Sequence, residues 1–393
     1  MRTRSLFRAV IVVVLLATAC SASPAGVARV QTASATRTAS QGRTAAPSGI
    51  LPSPTVGALG TQGGSCPSLS PPVYAPSKPS PRNVLIVWMK GSESFAIRDI
   101  TDILQPRTIS TFDSLGVPQL ITPSELSYAQ GDLVRMPLSG KPRTVVAKCV
   151  MAPWFAWSPD GTSAAYMSTS PRDDTVFDLH VVTGGHNRVV ASTPMQTRSV
   201  GCESRVCADR WDVRLQYSPD GAYISLVQMV PVGALRIWTA GGTLVKQLDS
   251  GTLTMSAWSG NSLYWMDDKG IEVWRSGTQS LALPAVSWIR PHGSPAGGQI
   301  VYETRDPGYS TAHVFLLDTG SGRVHQIAAS RSEPAFLNSH LIWYKEERPC
   351  AASDGCTVGP TTETGRTFIY DLADGTETES VIAAVFDAWP HPA

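Results

Sequence analysis

The chain has 393 residues, 42% of them hydrophobic and 16% charged, with 32 lysines and arginines against 31 aspartates and glutamates. A formal charge of +1 gives no field that would hold nucleic acid, and the length fits either several ordinary domains or one repeat architecture. With 33 glycines and 30 prolines the composition suits many short strands joined by tight turns.

Arg2, Arg4 and Arg8 flank an apolar run from Ala9 to Ala17 that is too short to cross a bilayer as a mature helix, which predicts a secretory signal. Its end, Ala17-Thr18-Ala19-Cys20, resembles the bacterial lipobox, in which a cysteine preceded by small residues is diacylated and becomes the new N-terminus. The resemblance implies that residues 1–19 are a lipoprotein signal peptide. It also implies an exported protein held by acylated Cys20 on the extracytoplasmic face of the cell membrane or outer membrane. Losing three arginines and no acids takes the formal charge from +1 to −2.

Residues 20–82 are rich in Ala, Ser, Thr and Pro and almost free of large apolar side chains. Such a segment cannot bury enough surface to offset its ordering entropy, and it is predicted to be a disordered tether. The folded domain is expected over 83–393.

Within that domain, strand, Gly turn, strand recurs six times: Leu133 to Val146, Asp178 to Val190, Leu235 to Leu248, Ile271 to Leu283, Val314 to Ile327 and Thr367 to Val381. Ahead of two of these hairpins stands the same corner, Trp157-Ser158-Pro159-Asp160-Gly161 and Tyr217-Ser218-Pro219-Asp220-Gly221. Asp binds the backbone ahead of it and Gly accepts positive φ, so the corner reads as a tight turn between strands A and B of a four-stranded unit. Tyr223 to Val230 is apolar at both alternating sets of positions, as a strand buried on both faces requires. Asp160 and Asp220 are read as structural turn acids.

The ends of the domain complement each other. Asn83 to Lys90 resembles a strand B without an A, and Phe386 to Trp389 a strand A without a B, so pairing them completes one blade. Further A strands are placed near Phe112, Phe155, Leu215, Ala257, Ser287 and Phe336. The result is an all-β, seven-bladed β-propeller of about 44 residues per blade, with six blades as the alternative.

The two Ser-Pro-Asp-Gly corners resemble the WD40-like (PD40) repeats of TolB-type propellers, and the lipid-anchored chain is similar to propeller lipoproteins of bacteria. Trp258-Ser259-Gly260-Asn261 lacks the Pro and Asp, and Phe336-Leu337-Asn338 lacks the turn. The resemblance implies a non-catalytic binding or scaffold module at the cell envelope.

Six cysteines remain after Cys20, an even number in an oxidising compartment. Local pairing of Cys202 with Cys207 and of Cys350 with Cys356 is the economical choice, leaving Cys66 for Cys149. The long insertions Thr193 to Trp211, Ser170 to Thr175, Thr304 to Ala312 and Lys345 to Arg366 are all B-to-C or D-to-A connections, which open on one face of a propeller. That face is the expected recognition surface, with Arg205, Asp209, Arg210, Trp211, Arg305, Tyr309, Lys345 and Arg348 as contact candidates.

No Gly-x-Ser-x-Gly elbow, His-Glu-x-x-His or P-loop is present, and Asp173-Asp174 and Asp267-Asp268 read as solvated turn acids. The expectation is a protein that is not an enzyme, with no cofactor and no metal. It should be monomeric and bind an envelope protein or glycan. A hydrolase or lyase acting on envelope or extracellular polysaccharide is the alternative.

Overall fold

Short, doubly apolar strands punctuated by glycine corners assemble into a ring of seven antiparallel sheets. The computed structural model describes residues 69–78, 82–88, 94–113, 117–151, 154–172, 176–194, 213–228, 233–249, 255–284, 286–350 and 361–389. Blade 1 contains β1 (Val84–Trp88), β2 (Ser94–Asp99) and β3 (Arg107–Asp113). Blade 2 contains β4 (Val117–Thr122), β5 (Glu125–Pro137) and β6 (Thr144–Val150). Blade 3 is β7 (Phe155–Trp157), β8 (Ala164–Thr169), β9 (Val176–Thr183) and β10 (His186–Pro194). Blade 4 is β11 (Val213–Tyr217), β12 (Tyr223–Gln228), β13 (Ala234–Thr239) and β14 (Leu244–Asp249). Blade 5 is β15 (Ser256–Ser259), β16 (Ser262–Asp267), β17 (Gly270–Arg275) and β18 (Thr278–Pro284). Blade 6 is β19 (Ile289–Gly293), β20 (Gln299–Arg305), β21 (Ala312–Asp318) and β22 (Val324–Ala329). Blade 7 is β23 (Arg331–Phe336), β24 (Leu341–Pro349), β25 (Thr361–Asp371) and β26 (Thr376–Glu379). The last strand, β27 (Asp387–Trp389), returns to blade 1.

Closure follows the complementarity of the chain ends. Leu85 of β1 pairs with Ala388 of β27, and Val84 pairs with Trp389, so the first and last strands share one sheet. Asp387 also reaches sideways to blade 2, where one of its carboxylate oxygens accepts the Leu120 N–H at 2.6 Å.

Blade 2 shows three strands, yet it holds four. The Ser127 hydroxyl donates to the Val134 carbonyl at 2.7 Å, and Leu138 N–H donates to Ser124 O at 2.9 Å. Seven extended residues would span about 23 Å, so β5 must fold back on itself. Its bend is at Gly131, with φ of 81°, and its two arms are strands B and C. The sequence placed strand A of this blade near Phe112; that assignment is corrected. Phe112 lies in β3, the outer strand of blade 1, paired with Phe95, and strand A of blade 2 is β4. A Phe in an exposed outer strand carries the same apolar signal as one in an inner strand.

The core is seven apolar layers, one between each pair of neighbouring blades, instead of a single centre. β12 shows why its strand is apolar on both sides: Ile224 and Leu226 pack toward blade 3, while Val227 packs toward blade 5. Its polar Ser225 is also accounted for, since it accepts the Trp258 indole N–H from blade 5 at 3.0 Å. First strands of adjacent blades touch one another around the axis, as β7 with β11 and β19 with β23. Last strands face solvent, and β26 has four exposed residues, Thr-Glu-Thr-Glu, whose charge discourages edge pairing.

Both Ser-Pro-Asp-Gly corners have the geometry their residues dictate. The Ser158 hydroxyl donates to Asp160 Oδ1 at 2.6 Å, and Gly161 N–H donates to Ser158 O at 2.8 Å with Gly161 at φ of 68°. A Cβ on Gly161 would also sit 3.0 Å from the Ile121 side chain of blade 2, so the position is closed twice to other residues. In the second copy Ser218 donates to Asp220 Oδ1 at 2.6 Å. A third corner, Ser294-Pro295-Ala296-Gly297, keeps the backbone bond from Gly297 N–H to Ser294 O at 2.9 Å without the aspartate.

The end of the segment read as a tether is docked. Ser77 N–H donates to Asp160 O at 2.7 Å, and Tyr74 meets Trp157 edge-on at 5.6 Å. Beneath Tyr74 lies the buried guanidinium of Arg135, 4.0 Å from the ring centroid, which donates to Gly161 O at 2.6 Å and pairs with Glu125 at 2.6 Å. Residues 69–78 therefore lie across the A-to-B corner of blade 3. Calls on Cys20 and residues 1–68 lie outside the described residues.

Candidate functional site

Turns joining A to B and C to D open on one face, the turn face; connections from B to C and D to A open on the other, the loop face. On the loop face, between blades 6 and 7, the starts of two A strands and the ends of two B strands bring charged groups together. Register shifts between Ile289 and His292 and between Ser332 and Ala335 mark a bulge in each A strand. At these bulges Arg290 has φ of 49° and Glu333 φ of 54°, a conformation costly for any residue with a Cβ. Arg290 Nη1 and Glu333 Oε1 form an ion pair. Lys345 adds a second cation, 2.8 Å from Glu333 Oε2 and 2.9 Å from Glu363 Oε1.

Under this layer is a buried brace. Glu303 in β20 is fully buried and accepts the Glu333 N–H at 3.0 Å, which holds the bulge in place. Arg305 Nε lies 2.6 Å from Glu303 Oε1, and the same guanidinium donates to Glu347 at 2.8 and 3.1 Å. The Thr361 hydroxyl donates to Glu347 Oε2 at 2.9 Å.

Burial pushes the Glu303 carboxyl up, against the Glu333 amide and Arg305, which favour its charged form. Burial also acts to raise Glu347, but the hydrogen bonds from Arg305 and Thr361 and the Arg305 charge help to outweigh it, and that carboxyl is held low. For Lys345 burial favours the neutral amine, and bonds to Glu333 and Glu363 outweigh it, so the ammonium is retained.

Lining up the A strands by their corners exposes a relation the sequence reading missed. Ser218, Ser294 and Leu337 each start the corner, donating to the carbonyls of Tyr223, Gln299 and Leu341 at 2.8 to 2.9 Å. Four residues before each stand Arg214, Arg290 and Glu333. Burial, and then the nearby Arg290 charge, lower the pKa of Arg214, so these two arginines from blades 4 and 6 lie near enough to repel each other. Arg214 has no carboxylate partner among the described residues. Two cations in one space, one of them uncompensated, favour an anion there.

Of the sequence-derived contact candidates, Arg305 and Lys345 fall in this cluster, and both are held by carboxylates. Arg348 is exposed at the end of β24, and Tyr309 belongs to a 3-10 turn, Pro307–Tyr309. Arg205, Asp209, Arg210 and Trp211 lie outside the described residues, as do Cys20, Cys66, Cys202, Cys207 and Cys356. Cys149 and Cys350 are disulfide-bonded, and their partners lie outside the described residues. The acidic turn at Asp267 uses its carboxylate to accept the Lys269 N–H at 2.9 Å; Asp173 and Asp174 are outside the described residues.

A serine and a histidine meet in blade 3, with Ser168 Oγ 2.8 Å from His180 Nε2 and the imidazole stacked on Tyr166 at 4.6 Å. Ser168 is buried, and burial lowers the imidazole pKa, so the pair is neutral and links β8 to β9. Among the described residues no group of three or more His, Cys, Asp or Glu is placed to hold a metal ion.

No protein-family model and no curated protein sequence matches the chain. Solved structures do resemble it. Prolyl endopeptidases align with a TM-score of 0.51 at 13% identity over 79% of this chain and 50% of theirs, so this chain spans half of their length. An oligogalacturonate lyase in complex with manganese gives 0.47 at 11% identity over 78% of this chain and 85% of its own. TolB from Acinetobacter baumannii gives 0.39 at 15% over 76% and 78%. The expectation of a protein that is not an enzyme is corrected here to an open one, because this propeller fold is also found in prolyl endopeptidases. At these identities the likeness establishes the β-propeller fold and nothing finer.

Proposed function

We propose that this is an exported bacterial lipoprotein, anchored by acylated Cys20, whose β-propeller binds an anionic partner, an envelope protein or glycan, on its loop face. One observation carries the reading: Arg214 and Arg290, on the A strands of blades 4 and 6, lie near enough to repel each other, and of the two only Arg290 has a carboxylate beside it among the described residues. The buried Glu303 brace supports it, since rigidly held side chains lose little entropy on binding. The test is recovery of bound species from the detergent-solubilised native envelope with wild type, Arg214→Ala and Arg290→Ala. A discrete species captured by wild type and lost with both variants, at unchanged melting temperature, is the expected result. Equal capture by the variants, or none by wild type, removes the reading. Cys20→Ser should move the protein from the membrane to the soluble fraction; retention in the membrane would sink the anchor.

The second reading, a hydrolase or lyase acting on envelope or extracellular polysaccharide, is favoured by one feature. Glu303 and Glu347 share Arg305 while their environments push their pKa values in opposite directions, the arrangement that separates an acid from a base. Product release from polysaccharide by wild type and its loss in Glu347→Gln would establish it.

A further inference from the structure

The segment that crosses the turn face of blade 3, Leu-Ser-Pro-Pro-Val-Tyr-Ala-Pro-Ser-Lys over 69–78, is neither helix nor strand, and the loop-face site does not use it. Pro71, Pro72 and Pro76 have no N–H, so the segment is unsuited to adding to a sheet as a β-strand. Each proline holds its own φ at about −65° and keeps the residue before it extended. The backbone these restrictions favour is the polyproline II helix, with about three residues per turn.

Burial follows that period. Between Ser70 and Lys78, Pro71 is buried, Tyr74 and Ser77 are half-buried, and the others are exposed. Each of the three meets a different part of blades 2 and 3. The Pro71 carbonyl passes 3.2 Å from where a Cβ on Gly185 would stand, at the C-to-D turn of blade 3. The Tyr74 ring lies 4.0 Å from the Arg135 guanidinium, which in turn lies 4.8 Å from the Trp157 ring. Ser77 N–H donates to Asp160 O at the A-to-B corner. Arg135 directs its N–H groups to Glu125 and to the Gly161 carbonyl, so what it offers the segment is the flat face of a cation.

We propose that this groove between blades 2 and 3 is a recognition site for a proline-rich peptide in the polyproline II form, of pattern Pro-x-x-Tyr, and that the chain's own residues 71–77 fill it in cis. Tyr74 is selected by the faces of Arg135 and Trp157, and the close passage of Pro71 by the missing side chain of Gly185. At Ser77 the groove reads only a backbone N–H, so any residue but proline fits there. Contact at every third residue is the way a preformed polyproline II rod is read, with little ordering left to oppose binding. The site is independent of the anion reading on the loop face.

The experiment is calorimetric titration of the full chain with the synthetic peptide of residues 69–78, blocked at both ends. A Pro71→Ala, Tyr74→Ala double variant, whose own segment no longer competes, should bind the peptide saturably, and wild type should bind it at least tenfold more weakly. Within the peptide, Tyr74→Ala should weaken binding at least tenfold. One alanine inserted between Val73 and Tyr74 keeps every side chain but breaks the period, and should weaken binding as much. Ala75→Lys, at an exposed position, should leave it unchanged. Gly185→Ala added to the double variant should weaken binding at least tenfold. Gly184→Ala is the control for backbone strain, being also at positive φ but with nothing within 4 Å, and should bind as before. Wild type should sediment as a monomer. Absence of saturable binding to the double variant, equal binding to wild type, indifference to the inserted alanine, equal effects of the two glycine variants, or a wild-type dimer lost in the double variant would each overturn the proposal.

Discussion

Arg290 in β19 and Glu333 in β23 occupy the same position in neighbouring blades, each in a left-handed backbone conformation, and their side chains pair across the blade boundary. Each lies at a register shift in its A strand, and the amide of Glu333 is pinned there by the fully buried Glu303. The strain is thus held by a buried carboxylate and not by the exposed pair itself.

Replacing Glu333 by Gly and by Ala separates strain from pairing, because both remove the carboxylate and only Gly is at ease at φ of 54°. Urea unfolding should find Glu333→Gly more stable than Glu333→Ala by about 1 kcal/mol. Equal stabilities would mean that the bulge stores no strain.

Asp387→Ala removes the acceptor of the buried Leu120 amide and weakens the short closure between β1 and β27. A loss of about 1–3 kcal/mol is expected. Hydrogen exchange should show the added opening first in β4 and β27; uniform exchange throughout the ring would contradict this role for Asp387.

Tyr74→Ala should release residues 69–78 with little effect on the propeller, seen as faster exchange of the Ser77 amide, whose acceptor is Asp160 O. Arg135→Ala should cost more, about 3 kcal/mol, because the Gly161 carbonyl and the Glu125 carboxylate both lose their donor. If the two variants destabilise equally, Arg135 has no role beyond holding the docked segment.

The corners make stability depend on acid. Burial acts to raise the Asp160 carboxyl, but hydrogen bonds from Ser158 and Thr162 hold it below its ordinary value. A group lowered on folding contributes stability that is present above its unfolded pKa, about 3.9, and is lost as pH falls through the lower folded value. Wild type should therefore lose stability below about pH 4 faster than Asp160→Asn. Glu303, raised by burial, has the opposite sign: its cost to folding at neutral pH is relieved as pH falls through its raised value. Melting temperatures of wild type, Asp160→Asn and Glu303→Gln across pH 3 to 7 would display both slopes, and parallel curves would refute both.

Much of the architecture was legible in residues that act locally. Asp160-Gly161 and Asp220-Gly221 form their corners from their own side chain and backbone, and alternation in β12 reports two apolar faces whatever packs on them. Phe112 misled because an aromatic in an outer strand looks like one in an inner strand. The bend within β5 went unseen because Gln130-Gly131 is a weak turn signal, and only the bond from Ser127 to Val134 exposes it. Arg305 and Lys345 were found as charged residues beside long loops, whereas Glu303, buried mid-strand, gave no such signal.

By itself the sequence favoured seven blades over six and determined the closure of first strand on last, since each rests on periodicity and turn chemistry within a few residues. Only the tertiary structure decided that Arg290 lies near Arg214 and pairs with Glu333, residues 76 and 43 positions away. It alone also laid residues 69–78 over Arg135 and left the Tyr217 hydroxyl without a partner among the described residues. Those relations depend on how the ring closes, and spacing along the chain carries no record of distance across it.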